Sequence, residues 1–297
     1  MTYAMISRNI KLFFKDKGML FTSLVTPVIL LVLYATFLKN IYTDSFRSAI
    51  PQGFPVADTL IDATVGGQLI SSLLAVCCVT VAFCSNFLSV QDKVSGTVQD
   101  FLITPLKKHV LPVSYYIASF LSTLVICFLS FGACLIYLSF VGWYLSPQDV
   151  AFLSLDIVLL TLFGTALSSI INVFLTTQGQ ISAVGTIVSA GYGFLCGAYM
   201  PISNFSSALQ HALSFLPSTY GTSLIRNHAL RGVFEQMEQE GIPSELIEGI
   251  KESIDCRLYF QDQEVTLFHM YLFMGITVAV LILLYIAVYI LREKKRK

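Results

Sequence analysis

Charge is what this chain has least of. Only 12% of its 297 residues are Asp, Glu, Lys or Arg, where a chain built to fold in water carries about a quarter. With 55% hydrophobic residues and a mean hydropathy of +0.74, that scarcity excludes a soluble globular domain. Lys+Arg and Asp+Glu both number 18, so no net charge draws the chain to nucleic acid. Catalytic signatures are missing as well: GxxxxGK(S/T), GxGxxG, HExxH and GxSxG are all absent. His109, His211, His228 and His269 stand apart, without partners at metal-ligand spacing, and read as ordinary interfacial histidines. The seven cysteines make no disulfide framework. Cys77, Cys78, Cys84, Cys127, Cys134 and Cys196 lie inside apolar runs, where a thiol acts as a small hydrophobe. Cys256 alone falls in a polar segment. The first apolar run is too long for a cleavable signal and lacks a small-residue cleavage site.

What the chain does have is six long apolar runs: Leu20–Leu38, Val65–Leu88, Val113–Tyr144, Val150–Phe174, Ile181–Met200 and Phe268–Leu291. Each is near or above the roughly 20 residues that a helix needs to cross a bilayer core. The expectation is an all-α integral membrane protein with six transmembrane helices, forming one domain over residues 1–297. Twelve of the eighteen Lys and Arg fall on one side of this arrangement: Arg8, Lys11, Lys15, Lys17, Lys93, Lys107, Lys108 and the tail Arg292, Lys294, Lys295, Arg296 and Lys297. The positive-inside bias makes that side cytoplasmic and places both termini there, in agreement with an even number of spans.

Residues 1–18 read as an interfacial helix, with Arg8, Lys11 and Lys15 in one sector and Ile6, Ile10 and Phe13 opposite. Pro27 predicts a kink in the first span. Residues 39–64 read as a polar external loop. Residues 91–111 form the longest internal loop, in which a short amphipathic helix starts after Gly96-Thr97 and stops at Thr104-Pro105. Residues 201–265 form an external region. In it Phe205–Leu216, too short to cross, dips back into the membrane, and Leu246, Ile247, Ile250 and Ile254 mark a small surface helix.

Small residues recur at intervals of four. Gly185, Ser189, Gly193 and Gly197 do so in the fifth span, as do Gly67, Ser71 and Ala75 in the second. Such stripes permit close helix approach. They serve either packing within the chain or a dimer interface that opens to pass cargo. Gln68 and Ser72 add uncharged polarity suited to an amphipathic cargo. Asp156 is the one acid inside an apolar run, and it stands near enough to the interface to be a weak sign of a proton path. Energy is therefore expected from outside the chain. The residues alone leave open an ion-driven transporter or channel, or a membrane sensor or scaffold.

The internal-loop sequence, Lys93, Gly96-Thr97, Gln99-Asp100-Phe101, then Thr104-Pro105, resembles the first cytoplasmic loop of type-2 ABC exporter permeases, the membrane subunits of drug, lipid and polysaccharide exporters. Gly197-Ala198-Tyr199-Met200-Pro201, followed by Pro217, Tyr220 and Arg226, is similar to that family's re-entrant external hairpin. Arg8 to Asp16 is similar to its interfacial helix. The chain departs from the family pattern at Val94, Gln99 and Leu216. The resemblance implies a permease in the cell membrane that pairs with a second permease copy and with a cytoplasmic ABC ATPase subunit. ATP and Mg would sit on that partner, with no cofactor in this chain. It also implies that Lys93, Gly96, Thr97, Gln99, Asp100, Phe101, Thr104, Pro105, Arg8, Lys11 and Lys15 couple to the ATPase. The expected cargo path and dimer interface comprise Gln68, Ser71, Ser72, Ala75, Gly185, Ser189, Gly193 and Gly197. Pro201, Pro217 and Tyr220 would form an external gate.

Overall fold

The structure, a computed structural model, describes residues 2–34, 36, 39–49, 57–104, 107, 109–261 and 263–295. Among the described residues, its secondary structure is helical apart from one two-stranded hairpin. In chain order the helices are α1 Thr2–Lys15, α2 Lys17–Leu33, α3 Lys39–Ala49, α4 Asp58–Asn86, α5 Leu88–Val94, α6 Thr97–Ile103, α7 Val110–Val141, α8 Pro147–Phe174, α9 Gln178–Leu195, α10 Ser207–Leu213, α11 Pro217–Gln239, α12 Ser244–Ser253 and α13 Leu267–Lys295. The strands β1 (Tyr259–Phe260) and β2 (Gln263–Glu264) pair antiparallel between α12 and α13.

Among the described residues, four segments are long and apolar enough to cross a membrane: Asp58–Val94, Val110–Val141, Pro147–Phe174 and Leu267–Arg292. The bent pair α1–α2 raises this to five. The expected count of six is not confirmed, because α9 does not reach that standard. Its glycines and its Gln, Ser and Thr residues dilute the apolar content.

The expected interfacial helix is α1, which buries Met5, Asn9 and Phe13 and leaves Lys11 and Lys15 exposed. The chain turns by 73° between α1 and α2. Asp16 makes the turn, accepting a hydrogen bond from Met19 N at 3.1 Å as the N-cap of α2. Helix α2 then runs through Pro27 to Leu33. The segment read as a polar external loop holds α3, tied to α4 by Arg47–Asp58 (2.7 Å) and Lys39–Asp62 (3.2 Å).

Helix α4 is the axis of the bundle. The most apolar stretch of its span is 89% buried, against 17% for α13 and 28% for α7, whose bare faces suit lipid. Helices α2, α3, α7, α8, α9 and α11 all pack on α4. Gly164 sets the closest α4–α8 approach, since a Cβ there would stand 2.9 Å from Val79 Cα.

The external region differs in one respect from its expected form. Its buried limb is α11, and α10 is short and largely exposed. Helix α11 starts at Pro217, near the middle of α8 (Gly221 faces Leu160), and rises between α4, α8 and α13 to Arg231, which pairs with Asp149 at the start of α8. Helix α12 is the expected surface helix, with Ile247 and Ile250 buried on one face.

Cys256 follows α12 and is buried, and burial pushes its thiol from the usual 9.0 up to about 12. The thiolate needed for alkylation is therefore missing at neutral pH. Maleimide at pH 8 is expected to leave Cys256 unlabelled in the folded protein and to label it after denaturation, as read by peptide mass. Because the folded value is the higher one, this thiol weakens the fold only as pH rises above about 9, where the unfolded chain ionises first.

Candidate functional site

At the end of the bundle that holds α1 and α6, Gly96 turns the chain with φ +84°, a left-handed conformation that glycine adopts without cost. Helix α6 then lies back on the bundle. Val98 is buried and Phe101 half-buried against Met5, Val110, Leu111, Tyr115 and Tyr289. That patch draws on α1, α6, α7 and α13, so one small apolar cluster holds four elements in register. The opposite face of α6 shows Gln99, Asp100, Ile103 (84% exposed) and Thr104 to solvent. Pro105 lies outside the described residues.

A polar clamp closes over the cluster. The Arg8 guanidinium donates to both carboxylate oxygens of the buried Asp92, at 2.7 and 3.2 Å, and Tyr115 O–H donates to the same carboxylate at 2.5 Å. Arg8 also stands 5.1 Å from the Phe101 ring centroid, within cation–π range. One side chain thus connects α1, α5, α6 and α7. Asp92 was missed in the sequence, where it is a lone acid beside Lys93. It continues a buried polar stripe, Ser85, Ser89, Asp92, at helical spacing, and that periodicity would have found it. The Lys93 ammonium donates to Asn172 O (2.6 Å) and Val173 O (3.4 Å), and Arg292 donates to Val173 O as well. Both cations cap the C-terminal carbonyls of α8. Thr97 Oγ1 is 2.9 Å from Ser95 Oγ, within the Gly96 turn.

The expected cargo and dimer residues separate into two groups. Gln68, Ser71, Ser72 and Ala75 are buried inside the chain on α4. Within the chain they face its own neighbouring helices, so among the described residues these four positions pack α4 into the bundle. Gly193 and Gly197 also serve the chain itself. Gly193 seats the Tyr199 ring, and Gly197 takes φ +72° where α9 ends. Gly185 and Ser189 instead line a groove of about 1060 Å³ between α2, α4 and α9. It exists because α2 and α9 each lean on α4 with little contact between them.

At the far end, Pro201 opens a 3-10 turn, Ile202–Asn204, and Pro217 is the first residue of α11, where its missing N–H costs nothing. Tyr220 is buried and donates to Ser214 O at 2.5 Å. These three positions belong to one hairpin, and its lock is Arg226. This residue is 1% exposed. It donates to Ile254 O (2.6 Å), Gly197 O (3.0 Å) and Ser72 Oγ (3.2 Å), and stands 3.5 Å from the Asp255 carboxylate. Asp255 in turn accepts from Ile202 N at 2.6 Å.

Two further readings are corrected. Asp156 is not turned to the protein surface: it is buried, its carboxylate lies 2.6 Å from His228 Nδ1, and it accepts a hydrogen bond from Tyr271. Nor is His228 an interfacial histidine, being stacked on Phe152 at 5.0 Å between α8 and α11. The two residues are 72 apart in the chain, so no local pattern announces them. Among the described residues, no group of His, Cys, Asp and Glu could hold a metal ion.

An axial helix wrapped by apolar helices, with a re-entrant hairpin plugged into one end and a clamped amphipathic helix at the other, defines a multi-pass membrane protein whose working parts are surfaces and joints. Residues 2–229 match the family described as ABC-2 type transporter, and the chain belongs to that family. It is therefore the permease part of an ABC transporter, a transport subunit and not a catalytic one. Comparison with curated protein sequences gives no match.

Proposed function

We propose that the chain is the membrane half of an ATP-driven exporter, working as a dimer with a separate cytoplasmic ABC ATPase and moving a hydrophobic or amphipathic cargo out across the cell membrane. Both termini lie in the cytoplasm in this reading, in line with the Lys and Arg bias. The observation that carries it is the Arg8–Asp92–Tyr115 clamp over Phe101. The clamp makes α1 and α6 one rigid unit, while Gln99, Asp100 and Ile103 stay exposed on its outer face. A push on that face is delivered to α7 through Tyr115 and to the α4–α5 axis through Asp92. ATP and Mg act on the partner. The gate is the face formed by α2 and α9, where the permease has room to move, and the enclosed face of α4 takes no part in it.

Gly96→Pro cannot adopt φ +84°, because proline fixes φ near −65°. It is expected to abolish ATP-dependent transport in proteoliposomes that contain the partner ATPase, with membrane insertion unchanged. Asp100→Arg is expected to do the same by reversing charge on the docking face. Normal export by both variants would remove the docking assignment. A proton-driven reading has one observation in its favour, the buried Asp156. Its carboxylate is already engaged by His228 and Tyr271, and transport without ATP or any second protein would be needed to revive it.

A further inference from the structure

Helix α1 changes its chemistry in a fixed order around its outer side. At about 100° per residue, the circuit from Arg8 passes Lys15, Lys11, Phe14 and Tyr3 and ends at Ile10 and Ile6. Lys15, Lys11, Phe14 and Tyr3 are exposed, while Ile10 and Ile6 are half-buried. The Arg8 edge turns toward α6, where its guanidinium meets Asp92 and the Phe101 ring. The opposite edge is apolar, and two ammonium groups and two aromatic rings lie between. From apolar through aromatic to cation is also the order of the layers met on leaving a bilayer.

The position of the helix agrees. Lys17 opens α2, and Phe21, one turn on and 67% exposed, begins the bare apolar side that continues at Val28 and Val32. One turn is a rise of about 5.4 Å, and each headgroup layer is about 5–8 Å deep. Lys17 therefore stands among headgroups when Phe21 stands in hydrocarbon. The 73° bend between α1 and α2 lays Lys11 and Lys15 beside it at that depth. Among the described residues, none of the three lysines has an ion-pair partner. Asp16, the one acid beside them, is occupied as the cap of α2, and three cations against one carboxylate leave the patch positive.

We infer that Lys11, Lys15 and Lys17 bind the headgroups of anionic phospholipids, with Tyr3 and Phe14 seated in the same interface. An ammonium group suits a phosphate oxygen as a point charge with three donors. A zwitterionic headgroup offers the same phosphate with its charge already cancelled, so the preference is for net negative charge. A protein partner in water would have to cover Tyr3 and Phe14 as well as the lysines, whereas a lipid layer takes both. The resemblance to type-2 permeases gives Lys11 and Lys15 to the ATPase; in this inference they face lipid, and the outer side of α6 is left for docking. Because Arg8 on the same helix holds Asp92, a lipid bound here is bound to the unit made by α1 and α6. Such binding needs neither ATP nor a second protein, so it stands apart from the exporter reading.

Trp143 is the chain's one tryptophan, so Phe14→Trp in a Trp143→Phe background puts a single fluorescent reporter on this face. The full chain is reconstituted in mixed phosphatidylglycerol and phosphatidylcholine bilayers in which one lipid or the other carries brominated chains. Quenching then reads which lipid lies beside the reporter. Phosphatidylglycerol is expected to be enriched there by about fivefold or more, the value of one lysine at an anionic surface. Lys11→Gln, Lys15→Gln and Lys17→Gln together should bring the enrichment to within about twofold of unity. The same three positions changed to arginine should keep it, which separates charge from any change of packing. Tyr3→Trp in the same background is a second reporter in case the larger ring at position 14 disturbs Phe13 beside it. Equal quenching by the two lipids, or an enrichment unchanged in the glutamine variant, would overturn the inference. So would no quenching by either lipid, which would place this face in water and give its lysines to a protein partner.

Discussion

Arg226→Met is expected to destabilise the protein by about 3–5 kcal/mol, the usual cost of removing one member of a buried ion pair. Methionine nearly matches the volume, so the loss is electrostatic. Asp255 would be left buried without its counter-charge, and Ile254 O and Gly197 O without their donor. Those three groups join α9, α11 and α12, so the whole external hairpin should loosen together. Thermal unfolding in detergent reads the stability, and proteolysis within residues 201–265 reads the loosening. Asp255→Asn in the Arg226→Met background should restore part of the loss, since it removes the stranded charge. A single variant within about 1 kcal/mol of the parent would show that Arg226 is not the lock.

Gly232→Ala is expected to cost more than about 3 kcal/mol, beyond the usual range for overpacking. A Cβ at this position would lie 1.8 Å from the carbonyl oxygen of Tyr144, and backbone cannot swing aside as a side chain can. Helix α11 must then lift away from the α7–α8 turn, and the neighbouring Arg231–Asp149 pair (2.5 Å) would part with it. Gly249→Ala is the control. It lies on α12 with nothing within 4 Å of a Cβ, and there alanine should be neutral or stabilise by about 0.5–1 kcal/mol through helix propensity. Equal effects in the two variants would remove the steric explanation.

Local pattern made a good part of this molecule legible. The amphipathic period of residues 2–15, the Gly96 turn and the helix after it, and the isoleucine spacing of α12 are all visible without a fold, because each depends on residues only a few positions apart. Hydropathy marked the long apolar helices for the same reason; in α9, which it also marked, glycines and polar side chains dilute the signal. Helix α11 escaped because Arg226, His228 and Arg231 make it look like surface. Each of those side chains is in fact met by a partner from elsewhere, the Asp255 and α9-end carbonyl cluster, Asp156 and Asp149. The stripe on the second span showed where helices approach closely, but it could not show whether the neighbour was a helix of the same chain or a second copy.

By itself, then, the order of residues settled that this polypeptide lives in lipid, which side of it is basic, and where a short amphipathic helix follows a glycine turn. These follow from composition and from periods of a few residues, which need no long-range contact. Only the packed structure decided that α4 is the axis, that Asp92 joins Arg8 to Tyr115, that Arg226 locks the hairpin, and that a largely apolar groove opens between α2 and α9. Each of these joins residues tens to more than a hundred positions apart, and such pairs come together only when burial of the apolar faces brings their helices side by side.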